Sequence, residues 1–168
     1  GGTVGAARIN PVRLADDRAL FVESAGTALY ELNYDSSKGR FLASEFSKLT
    51  TDPFVTGITG VTVQNRPDQR IWITSANADA AYVVFEPSQQ VVGFMKVSTS
   101  YDTDIIESMI VLPSEMGQDR VLCSVKRVAN GVTARRIERF ALDSEAVPAD
   151  VTKGLDAQVV FGAGSAVI

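Results

Sequence analysis

The chain has 168 residues, 45% hydrophobic and 21% charged, with one cysteine, no histidine and a formal charge of −4. That apolar content supplies a core for one domain, or for a section of a larger one, and argues against a disordered or fibrous chain. Without histidine, Ser-His-Asp and Cys-His nucleophile systems, histidine-ligated zinc and histidine acid–base catalysis are excluded within the chain, and the acidic balance gives no global basic field for nucleic acid or an anionic membrane.

The chain opens Gly1-Gly2-Thr3-Val4, without an initiator Met or a secretory signal, as expected of a fragment trimmed from a longer protein. A strand-like run over Ala7–Leu14 comes first, then Arg18-Ala19-Leu20-Phe21, a turn at Ala25-Gly26 and a strand over Thr27–Tyr34. Alternation in that strand puts Tyr30, Leu32 and Tyr34 on one face. Arg40–Ala43 follows as a further strand. Ser47 to Asp52, before Pro53, reads as a single helical turn capped by Ser47. Next come strands at Gly60–Gln64, from Arg70 through Ile71-Trp72-Ile73-Thr74, at Ala80–Glu86 and at Val91–Val97, with a turn at Asn77-Ala78-Asp79. A third set begins with Ile105–Leu112 and continues from Arg120 through Val121-Leu122-Cys123 to Asn130-Gly131 and Val132–Phe140. Asn-Gly between two β-rich runs is the signature of a type I′ hairpin. Asp143 to Asp150 reads as a linker, and Ala157–Phe161 as one more strand. No apolar run approaches the roughly 20 residues that span a bilayer, so no membrane anchor is read.

These runs repeat. Arg18, Arg70 and Arg120 each stand before an apolar strand, 52 and 50 residues apart, and Tyr30 and Tyr82 are also 52 apart. The unit is about 50 residues and four strands in meander order, the fourth unclear in the last copy. That is the sequence sign of β-propeller blades. Three blades are too few to close a propeller. The reading is therefore an all-β chain of three four-stranded antiparallel meander units, over about 7–46, 58–97 and 105–140, forming part of a larger ring. Residues 1–140 form this section, and 141–168 a linker and the start of a following, inserted domain. An ordinary antiparallel sandwich with a chance repeat is the alternative.

The order of short motifs resembles a known family. Val61 to Ile73, containing Gln64, Pro67 and Trp72, precedes Tyr82 to Phe94, containing Glu86, Gln90 and Val91. Then come Glu107-Ser108 before Pro113, Asp119-Arg120-Val121-Leu122, Asn130-Gly131 and Ile137-Glu138-Arg139. The first unit contributes Pro11-Val12 and Glu31-Leu32-Asn33-Tyr34-Asp35. Across roughly residues 9 to 140 this is similar to the tail nozzle (tail tubular) proteins of short-tailed bacteriophages. The chain departs from that pattern at Phe94 and Arg136, where the family has tryptophan and an aromatic residue, and over Met95–Ser98, where it has a histidine.

The resemblance implies a non-enzymatic structural virion protein, a section of a nozzle whose β-propeller platform joins a ring for genome ejection. The implied partners are other copies of itself and tail adaptor proteins, with DNA passing through the lumen without sequence-specific binding. The implied location is the phage tail, after synthesis in the host cytoplasm. The motif residues to place are Arg18, Tyr30, Tyr34, Arg70, Trp72, Tyr82, Arg120, Asn130, Gly131, Glu138 and Arg139.

The remaining chemistry is sparse. Cys123 has no partner for a disulfide or a paired-cysteine metal knuckle; it suits a reducing compartment and reads as a small apolar strand residue. Paired carboxylates permit a glycosidase without histidine, and Asp102, Asp104 and Glu107, or Glu23 with Glu31, are the candidates. They carry the alternative function, a carbohydrate-binding or carbohydrate-degrading tail module. A solvated acidic cluster is the plainer reading. Asp102-Thr103-Asp104 lacks the rest of a calcium loop, and Gly162-x-Gly164 lacks the helix of a phosphate cradle, so no cofactor or metal is expected. Lys126, Arg127, Arg135 and Arg136 gather on the last hairpin as a candidate partner-facing basic patch, with pairing to nearby acids as the plainer account. Trp72, Phe85 and Phe94 read as core rather than as a ligand platform.

Overall fold

The computed structural model describes residues 5–7, 13–15, 18–47, 55–77, 79–86, 91–97, 99, 104–114, 117–129, 131–145 and 158–161. These form three four-stranded antiparallel meanders. The first is β1 (Arg13–Ala15), β2 (Arg18–Val22), β3 (Leu29–Asp35) and β4 (Arg40–Glu45). The second is β5 (Ile58–Gln64), β6 (Arg70–Ser75), β7 (Ala80–Glu86) and β8 (Val91–Val97). The third is β9 (Ile105–Leu112), β10 (Arg120–Ala129), β11 (Val132–Phe140) and β12 (Gln158–Phe161). The expected repeat is thus an all-β fold in which Arg18, Arg70 and Arg120 each open the second strand of a sheet.

Two differences from the sequence reading concern the ends of units. The strand at 158–161 supplies the missing fourth strand of the third sheet, with Phe140 opposite Gln158 and Ile137 opposite Phe161. Residues 141–145 turn the chain, but no turn signature close to β11 announced the return. Of the helical turn expected after Ser47, only Ser47 itself is described. It is buried, and its hydroxyl accepts from the Leu29 amide at 3.1 Å, closing the β3 side of the first sheet.

The sheets stack face to face. The first core lies between the first and second sheets and joins Leu20, Val22 and Leu29 to Ile71, Ile73 and Val83. The second lies between the second and third, joining Trp72, Ala80 and Val97 to Ile106, Val121, Cys123, Val125 and Phe140. Strand β6 serves both. Ile71 and Ile73 point one way and Trp72 the other, the period-2 alternation of a strand covered on each side. The first strands of the units lie side by side, β1 against β5 and β5 against β9. Among the described residues no ladder joins the third sheet back to the first, and Tyr34 and Phe41 on the first sheet and Ile110 and Ile137 on the third stand exposed, so the three sheets form an open stack and not a closed barrel or propeller.

The sheets are also tied through their turns. The Ile58 amide donates to the Gly26 carbonyl at 2.7 Å, linking the first hairpin to β5. At the other junction the Asp119 carboxylate accepts from the amides of Asn65 and Arg66 at 3.0 Å each and from the Ser114 amide at 3.1 Å. One buried side chain thereby fastens the β5–β6 turn to the β9–β10 turn.

Candidate functional site

The β10–β11 hairpin gathers six of the chain's 16 basic side chains: Arg120, Lys126, Arg127, Arg135, Arg136 and Arg139. Ala129 pairs with Val132, which leaves a two-residue turn in which Gly131 has φ +76°, as a type I′ turn requires. Asn130 lies outside the described residues. Lys126 stands directly opposite Arg135, Val125 opposite Arg136 and Arg127 opposite Ala134. Opposite residues share a face and successive residues alternate, so Lys126 and Arg135 lie on the outer face of the third sheet. Arg127 and Arg136 lie on the face turned to the second sheet.

The four cations therefore do not make one partner-facing patch, and Arg127 is the clear correction. It is buried, donating from Nε at 2.8 Å and Nη2 at 2.7 Å to the Asp104 Oδ2 atom, with Nη2 also 3.2 Å from Glu138 Oε1. Its register with Val121, Cys123 and Val125, all buried, required this, and alternation along β10 was the signal that would have found it. On the outer face Arg135 grips Glu107 bidentately, at 2.9 and 3.1 Å from Nε. That contact holds the Glu107 carboxyl below the usual range, while the guanidinium itself is held up by the same partner.

The acidic candidates divide in the same way. Asp104 is held by Arg127 and Glu107 by Arg135, while Asp102 lies outside the described residues. Glu31 is paired with Arg18 at 2.8 Å and accepts from Ser44, and Glu23 accepts from Thr27. Glu138 is wholly buried. Neither of its carboxylate oxygens has a hydrogen-bond partner, and the same holds for Asp104 Oδ1. Burial, reinforced by Asp104, raises the Glu138 pKa against the lowering effect of Arg127 and Arg136. Two buried carboxyls thus share one guanidinium. Cys123 lies beside them, its Sγ 3.6 Å from the Glu138 carbonyl, and burial pushes its thiol up to about 12, an unreactive thiol. Among the described residues no group of three or more His, Cys, Asp or Glu is placed to hold a metal ion.

The repeat arginines each meet a different acid. Arg18 pairs with Glu31 across β2 and β3, Arg70 with Asp68 at 3.2 Å and Asp143 at 3.5 Å, and Arg120 lies near Glu145. Glu145 is taken bidentately by Arg139, at 2.7 and 2.9 Å, which lowers its pKa.

The two tyrosines 52 residues apart are not equivalent. Tyr30 faces Phe21, three residues past Arg18, whereas Tyr82 faces Trp72, two residues past Arg70. A one-residue change of register moves a side chain to the opposite face. Tyr82 therefore packs with Trp72 at a ring distance of 5.0 Å inside the second core, where burial raises its pKa against the lowering effect of Arg70. Tyr30 stacks on Phe21 at 5.7 Å on the outer face of the first sheet.

Trp72 is core, as expected. Its Nε1 donates to Gln64 at 3.0 Å, Gln64 donates on to the Arg66 carbonyl at 2.7 Å, and Phe140 lies 4.9 Å away. Phe94 is partly buried against Phe46 at 5.9 Å; the Phe85 side chain lies outside the described residues. Tyr34 instead stands exposed, edge-on to an exposed Phe41 at 5.1 Å.

An open cleft of about 670 Å³ lies between the β5–β6 and β9–β10 turns, lined by Val63, Arg66, Val111, Pro113 and Asp119. Both oxygens of the Asp119 carboxylate are already occupied by backbone amides, so among the described residues the cleft offers no free carboxylate. Asp119 and Gln64 are the positioning residues that sequence reasoning passed over except as motif letters. An acid or amide at the edge of an apolar run, beside a turn, was the available signal.

No family model matches the chain, and no curated protein matches it.

Proposed function

We propose that the chain is a structural section of a phage tail protein of the nozzle type, contributing meander sheets to a ring through which the genome leaves the virion. The observation that carries this reading is the open stack of three meander sheets with their first strands side by side. Each added sheet continues the same arrangement, and continuation of such a stack is what closes a propeller. The resemblance in motif order supplies the virion context.

The chemistry agrees with a part whose work is shape. Asp104, Glu107 and Glu31, the carboxyls that a glycosidase would use, are held by arginines. Trp72 is sealed inside the second core rather than offered to a sugar. The partners in this reading are neighbouring copies and tail adaptor proteins, with DNA as a passenger. Electron microscopy of the whole protein that carries this section tests it. Rings with a central lumen are the expected result; particles without rings, or cleavage of polysaccharide by the purified protein, would overturn it.

A further inference from the structure

The two end faces of the stack differ in chemistry. The outer face of the first sheet carries Phe21, Tyr30, Leu32, Tyr34 and Phe41, with Tyr34 56% and Phe41 66% exposed. Its charged side chains are Glu45, opposite Tyr30, and Glu23; among the described residues no lysine or arginine lies on it. The outer face of the third sheet carries Ile110, Leu112, Leu122 and Ile137, with Ile110 53% and Ile137 62% exposed. There, among the described residues, Arg120, Lys126, Arg135 and Arg139 outnumber the two acids that they meet, Glu107 and Glu145.

One face is therefore aromatic with two surplus carboxylates, the other aliphatic with two surplus cations. Both faces carry exposed apolar side chains of the kind that the interior of this molecule covers with another sheet. Like faces would set carboxylate against carboxylate, or cation against cation. Unlike faces pair aromatic with aliphatic surface and opposite charges.

We propose that these faces form a head-to-tail interface between copies of this chain, the third sheet of one copy seated on the first sheet of the next. The occupant of each face is thus a second copy. The contact is heterologous, so two copies meeting at both interfaces close a six-sheet ring, and any other angle continues the stack. This inference concerns self-association and stands whether or not the virion reading holds.

Sedimentation velocity tests it with two variants altered only at exposed positions, their folding checked by circular dichroism. Tyr34→Lys with Phe41→Lys spoils the first face, and Ile110→Glu with Ile137→Glu spoils the third. The unaltered chain is expected to associate, more weakly as salt rises. Each variant alone loses association by about ten-fold or more, and an equimolar mixture regains it because one intact face of each kind remains. A unaltered chain that stays monomeric overturns the proposal. So does a variant that self-associates as well as the parent, since that would mean like faces pairing.

Discussion

Among single residues, Arg127 carries the largest electrostatic consequence. Among the described residues it is the one guanidinium in contact with both Asp104 and Glu138, whose side chains are fully buried. Arg127→Met removes the guanidinium that contacts both buried carboxyls, and a loss of about 3–5 kcal/mol is expected in urea denaturation. Replacing all three together, Arg127→Met with Asp104→Leu and Glu138→Leu, should restore most of it, because the desolvation cost of the charges vanishes with them. Glu138 also sets a pH dependence. Its folded pKa is raised, so its contribution is whole below the unfolded carboxylate range and is lost as pH rises through the folded value. Glu107 and Glu145, lowered by their arginines, contribute in the opposite sense, their share disappearing as pH falls. Comparing the parent with Glu138→Gln across pH isolates the first effect: the variant should lose less stability between mildly acidic and neutral pH. An identical slope in both proteins would refute the assignment.

At the scale of elements, the joins between sheets rest on few atoms. Asp119 accepts three backbone amides from two turns, and both of its oxygens are used. Asp119→Ala strands those donors at about 1–3 kcal/mol for the least hydrated of them. Asp119→Asn should fare little better, because its amide nitrogen would face an N–H; thermal melts of the two variants falling together would bear this out. Gly131→Ala is milder, costing about 1–2 kcal/mol for a positive φ at an exposed turn. Most strands were legible from alternation and turn residues, and Ile105–Leu112 and Val132–Phe140 have the bounds that were read. The face of each side chain was less legible, because it depends on register. The 52-residue spacing placed Tyr30 and Tyr82 in one repeat phase, yet a hairpin longer by one residue sends them to opposite faces. The basic patch divides for a related reason: Lys126 and Arg127, like Arg135 and Arg136, are neighbours in sequence whose side chains a strand sends to opposite faces. Strand β12 was visible as a strand, but its partner lies across a long connection that no local signal encodes.

Across the whole molecule, charge and stacking order govern behaviour. With a formal charge of −4 and the basic side chains of the third sheet divided between its two faces, the described residues present no continuous cationic track for phosphates. Binding to duplex DNA at low salt is accordingly expected to be weak, and submicromolar affinity by fluorescence anisotropy would contradict that expectation. The cores are arranged in series, with the second sheet belonging to both. Damage in either core is thereby transmitted to the other, and the three sheets should melt in a single transition rather than one by one. The position of β6 between them has a kinetic counterpart. Its amides bond to β5 and β7 while both faces are covered, so no local fraying uncovers them. Deuterium should enter this strand last, and only at the rate at which the entire stack comes apart.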